Sequence, residues 1–218
     1  MRIPKIGNYT SPTDKEFIDL PEIEFSKPSY IFYDSKQRNK FIKKVETLVR
    51  SSLEQRKFIE YCHTGLGMDY DMFVNNVSRD RGKRVKIEIH HLPFGLYDIV
   101  NIVLTKYETE EMKIDPLMIA KEVVSLHYKG MVGLVPLSET VHQLYHRGDI
   151  FIPLQCIDKG FVQFYMEYKP YLKEYESMLI KLIEMSKAFT MDSTNHILQR
   201  KYIYLNNSGY DSIPDRIE

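Results

Sequence analysis

Four of the seven histidines in this 218-residue chain fall into two pairs. His90 and His91 close the stretch KRVKIEIHH, in which Val85, Ile87 and Ile89 alternate as on one face of a β-strand. His142 and His146 stand at i and i+4 in SETVHQLYHRG. On a helix that spacing puts both imidazoles on one face, about 6 Å apart, within reach of one metal ion. Alternation along the strand sends the side chains of His90 and His91 to opposite sides. One of the two can therefore join the helix pair while its neighbour faces elsewhere. A divalent ion held by imidazoles polarises a phosphate oxygen, and a free neutral imidazole takes a proton from water near pH 7. His63, beside Cys62, and His196 have no partner at useful spacing and read as structural. His127, after Leu126, is not assigned to the site.

The elements that must position these side chains are read from periodicity and punctuation. Phe41, Ile42, Val45, Leu48 and Val49 mark an amphipathic helix from Ser35, and Ser51 or Ser52 caps a second through Leu53, Phe58, Ile59 and Tyr61 until Gly65 and Gly67. After the double histidine, Leu96, Ile99, Val100, Val103 and Tyr107 predict a helix. Asp115 and Pro116 open another, through Met118, Val123, Val124 and Leu126, that Gly130 ends. Met131–Leu137, MVGLVPL, is a short apolar strand. Ser138 caps the helix carrying His142 and His146, and Gly148 terminates it. Beyond Pro153 a helical stretch interrupted at Pro170 runs to about Ala188. Four prolines among residues 1–34 favour an extended arm lying on the body. The expected organisation is that arm followed by one domain over 35–218, with its core at 83–148.

Two segments, 85–91 ending in HH and Gly133–His146 (GLVPLSETVHQLYH), together resemble the HNH motif of the His-Me finger endonucleases. The resemblance implies a ββα-metal core, here with an embedded helical insert and flanking helices, in an α+β chain that is mainly helical. It implies that His90 is a metal ligand, His91 the general base, and His142 and His146 the helix ligands. One Mg²⁺, Mn²⁺ or Zn²⁺ would then serve hydrolysis of phosphodiester bonds in DNA. The sequence departs from the family at Gly133, where an asparagine commonly orients the base, and Asn101 in the insert is the nearest substitute. Ser138 and Val141 stand where many members carry cysteines, so a structural zinc ribbon is not expected.

The basic run Arg79, Arg81, Lys83, Arg84 and Lys86 leads into the double histidine and suits phosphates flanking a scissile bond. Over the whole chain thirty basic residues balance thirty acidic ones, so an anionic partner must be met by a local patch. With 43% apolar residues the chain can bury a substantial core. Cys62 and Cys156 are too few and too far apart for a disulfide scaffold. No apolar run reaches the ~18 residues of a membrane span, and cytoplasmic residence is expected. Two alternatives to the endonuclease remain: a non-catalytic nucleic-acid-binding or assembly protein that keeps the fold, and a helical protein whose histidines are incidental.

Overall fold

The computed structural model of the chain describes residue 32 and residues 34–74, 77–79, 85–157 and 160–188. The N-terminal arm expected over 1–34 falls almost wholly outside these residues, as do His196, Arg81, Lys83 and Arg84.

The described residues form a mainly helical α+β fold with a two-stranded antiparallel sheet. Helix α1 (Ser35–Ser51) begins where the Asp34 carboxylate accepts from the Gln37 N–H at 2.7 Å, and it buries Phe41, Ile42, Val45 and Val49. Ser52, the second of the two expected caps, opens α2 (Leu53–Thr64) by accepting from the Gln55 N–H. Such caps are worth about 1 kcal/mol each. Helix α3 (Leu96–Thr109) buries Leu96, Ile99, Val100, Asn101, Ile102, Val103, Leu104 and Tyr107, and α4 (Pro116–Tyr128) starts at the Asp115 cap with Pro116 in its first turn. The segment between the strands, expected as an insert, is thus the hub of the larger core. Helices α1 and α4 pack against α3, with Met131, Val132, Phe164 and Tyr168 completing the cluster. A helix apolar on nearly every side must be enclosed.

Strand β1 (Ile87–His91) pairs with β2 (Leu134–Ser138), placing Glu88 opposite Leu137, His90 opposite Val135 and His91 opposite Leu134. Both strands are shorter at their N-terminal ends than the sequence pattern suggested. Met131 and Val132 go into the helical core. Gly133 then turns the chain beneath the Leu92 carbonyl, and its own carbonyl accepts from the Leu92 N–H at 3.0 Å. Pro136 is tolerated inside β2 because its missing N–H would point away from β1; its carbonyl, pointing the same way, accepts from Met72 N–H at 3.0 Å. Helix α5 (Glu139–His146) leaves β2 directly, capped by Ser138, and packs Val141 and Leu144 into a second cluster with Val135, Leu137, Ile150 and Ile152. A short helical turn at Leu154–Cys156 precedes α6 (Phe161–Tyr168), and two more, at Lys169–Tyr171 with Pro170 and at Lys173–Tyr175, separate α6 from α7 (Glu176–Ala188).

A buried carboxylate joins the loop before β1 to the start of α5. Asp71 accepts from the N–H groups of Phe73 and Val74 through Oδ1, at 2.7 and 2.8 Å, and from Ser138 N–H through Oδ2 at 2.6 Å. Burial raises its pKa, and these hydrogen bonds work against that rise. Asp71→Ala should strand three N–H groups and destabilise the protein by roughly 3 kcal/mol. Asp71→Asn should help little, because its amide must turn a donor toward one of those N–H groups. Urea unfolding of both variants checks this; a loss under 1 kcal/mol for alanine would show that water satisfies the three donors.

Candidate metal centre

Strand alternation decides which histidine goes where. Glu88 and His90 share the sheet face that looks toward α5. Ile89 and His91 share the other face, against the helical core, where Leu134 also lies. The i, i+4 pair on α5 flanks its buried residues Val141 and Leu144, so the side chains of His142 and His146 lean over the end of β1.

Three of the four paired histidines therefore meet. His142 Nε2 lies 2.9 Å from His90 Nδ1 and 2.9 Å from His146 Nε2, and one nitrogen from each of the three rings falls within 4.8 Å of the others. His146 is exposed and the other two are half-buried. Tyr145 packs edge-on against His90, with ring centroids 4.8 Å apart. Burial, with the neighbouring His142 and His146, pushes the His90 pKa down to about 3, so this ring is neutral at pH 7. Burial also lowers that of His142, against the opposing pull of Glu88.

Behind His142 stands a residue that sequence reading passed over. Glu88 Oε2 is 2.5 Å from His142 Nδ1, and its Oε1 is paired with the Lys86 ammonium. Burial disfavours the Glu88 carboxylate, but Lys86 and His142 outweigh it and hold its pKa below the usual value. The signal was present: Glu88 precedes His90 by two, which on a strand means the same face.

His91 does not join this group. Its Nε2 is 2.8 Å from His127 Nε2 on the opposite face of the sheet, and His127 Nδ1 donates to the Val123 carbonyl at 2.7 Å. Neutral His127 therefore presents a lone pair at Nε2, and His91 donates to it. The pair binds β1 to α4, and burial lowers the pKa of both rings, favouring their neutral forms. Asn101, ten residues after His91, does not turn toward the histidines. It accepts from Arg38 and donates to Glu174 and Tyr175, tying α1, α3 and the turn before α7 together. His63 donates from Nδ1 to the Met68 carbonyl at 2.8 Å, closing the turn after α2.

The three converging histidines open on a cleft of about 1100 Å³ between α1, α2 and β1. Arg50, Arg79 and Lys86 line it, along with Glu60 and Glu88. Of the expected basic run, Arg79 and Lys86 reach this cleft. No helix among the described residues is long and apolar enough to cross a membrane.

A small sheet buttressed by helices, with His90, His142 and His146 gathered at its edge and His91 turned to the opposite face, defines a mainly helical α+β protein. The chain belongs to the Bacteriophage G278-like virion protein family, whose model matches residues 6–210. No curated protein and no solved structure matches it.

This family membership overturns the HNH resemblance, which rested on two short segments, and with it the endonuclease and hydrolase reading. The general-base role assigned to His91 falls with it, and the hydrogen bond to His127 supplies the physical account of why a histidine stands there.

Proposed function

We propose that this virion protein is a non-catalytic assembly component whose sheet edge and α5 are clasped by a divalent transition metal on His90, His142 and His146, in a ββα arrangement of β1, β2 and α5. The virion role is supported by the family match over most of the chain. One observation carries the metal: His142 Nε2 has two imidazole nitrogens at 2.9 Å, while a single ring nitrogen offers one proton or one lone pair and can satisfy only one of them by hydrogen bonding. A cation accepting all three lone pairs removes the conflict. Bonds of ~2.0–2.1 Å to a common ion fit this spacing after small side-chain movements. Three neutral imidazoles select zinc or its transition-metal neighbours over Mg²⁺, which prefers oxygen. In the particle, such a clasp would hold β1 and α5 together without a disulfide.

Purified phage particles test both parts. The chain should be present in the particle with an equimolar amount of zinc. Particles assembled with His142→Ala should lose that zinc and survive heating less well. Absence of the chain from particles would sink the assembly role, and unchanged zinc in His142→Ala particles would sink the clasp.

Contact with nucleic acid is a second reading, favoured by Arg50, Arg79 and Lys86 along the cleft. It is weaker, because Glu60 and Glu88 line the same surface and Lys86 is already paired to Glu88. Three phosphate contacts would give a slope of log K against log salt of about −3. Duplex binding with no salt dependence, or none at 50 mM salt, would count against it.

A further inference from the structure

Glu88 and Lys86 lie outside the three converging nitrogens, yet their arrangement fixes what those nitrogens can do. We propose that Glu88 is a positioning residue that holds His142 as the Nδ1–H tautomer, so that the Nε2 lone pair faces the point shared by His90 Nδ1 and His146 Nε2.

The chemistry follows from counting protons. A neutral imidazole carries one N–H. A carboxylate only accepts, so the 2.5 Å approach of Glu88 Oε2 to His142 Nδ1 requires the proton to sit on Nδ1. The Lys86 ammonium stands on the other carboxylate oxygen, so Glu88 meets His142 as an acceptor. Nε2 is then left bare, and it is the atom that lies 2.9 Å from both neighbouring rings. Imidazole that is free in water favours the opposite tautomer, with the proton on Nε2, which would put a hydrogen where the other two nitrogens converge. Without Glu88 the cluster is thus miswired before any ion arrives.

Strand geometry makes the arrangement local. Lys86, Glu88 and His90 are spaced by two, so β1 and the residue just before it supply the ammonium, the carboxylate and the first imidazole, while α5 supplies the other two rings. A carboxylate behind a metal-bound imidazole also raises its donor strength, and loss of such a partner typically weakens metal binding 10- to 100-fold. That second consequence rests on the metal reading above; the tautomer does not.

Two measurements on the whole protein separate them. Nitrogen-15 NMR of the metal-free protein should find His142 protonated at Nδ1 and bare at Nε2. Glu88→Ala should shift it toward the Nε2–H form. Glu88→Gln, whose amide oxygen can accept the same hydrogen bond, should keep the wild-type tautomer. Zn²⁺ titration should then show roughly 10- to 100-fold weaker binding for Glu88→Ala and a smaller loss for Glu88→Gln. An Nε2–H form in the wild type, or a tautomer unmoved by Glu88→Ala, overturns the proposal. Zn²⁺ binding of wild-type strength in Glu88→Ala overturns the consequence for metal affinity. A wild-type protein that binds no Zn²⁺ but shows the Nδ1–H tautomer, lost in Glu88→Ala, would support the role of Glu88 and remove the metal reading alone.

Discussion

Gly133→Ala should destabilise the protein by about 3 kcal/mol or more, and Gly133→Asn by more again. A Cβ at this position would stand 2.0 Å from the Leu92 carbonyl oxygen, 2.9 Å from Ile157 Cγ2 and 3.1 Å from Phe161 Cβ. The first of these is backbone, which cannot swing aside as a side-chain tip can. To make room, β1 and β2 must separate just beyond His91, breaking the hydrogen bond from Leu92 N–H to the Gly133 carbonyl. In a chain of this size each kcal/mol lowers Tm by roughly 2–4 °C, so alanine should cost about 6–12 °C. Thermal unfolding followed by circular dichroism measures this. A fall of less than about 2 °C would show that the strands do not approach as closely as described. The same geometry explains the departure from the HNH pattern: the position is glycine because a neighbouring backbone occupies the space, and an asparagine could not stand there.

The second large effect is thermal stabilisation by zinc. An ion that binds the folded chain and not the unfolded one adds about 4 kcal/mol when its free concentration is a thousand times Kd. For this length that is a rise in Tm of roughly 8–16 °C. His142→Ala should abolish the rise, because it removes the nitrogen that both other rings approach. His91→Ala should retain it, since His91 faces α4 and bonds to His127, though its unfolding should begin lower because the tie between β1 and α4 is gone. Equal zinc stabilisation in wild type and His142→Ala would place the ion elsewhere. Loss of the rise in His91→Ala would mean that the two faces of β1 are not independent.

Much of this arrangement was legible in the sequence. The caps Ser52, Asp115 and Ser138 marked helix starts because a short polar side chain before an apolar-periodic run has one common use. The separation of His90 from His91 followed from strand alternation, and the pairing of His142 with His146 from helix pitch. What could not be read was tertiary. His127 looked unassigned because its partner is 36 residues earlier, across a sheet whose pairing no local pattern specifies. The segment between the strands read as an insert because it interrupts a motif, whereas α3, apolar around most of its circumference, is the centre of the larger core. Glu88 was visible as a same-face neighbour of His90, but only the packing of α5 against β1 gives it His142 as a partner. The family was misjudged for a simpler reason. Two histidine pairs on a strand and a helix describe a metal-binding geometry that chemistry permits in unrelated chains, and fold resemblance at a few residues does not carry function.

X-ray absorption at the zinc edge, on the zinc-loaded protein, tests the central claim most directly. Three imidazole nitrogens at about 2.0–2.1 Å are expected in the wild type, completed by a light oxygen or nitrogen ligand, with the imidazole signal depleted in His142→Ala. A zinc shell containing sulfur, a shell of oxygens without imidazole, or a protein that retains no zinc at all would contradict it.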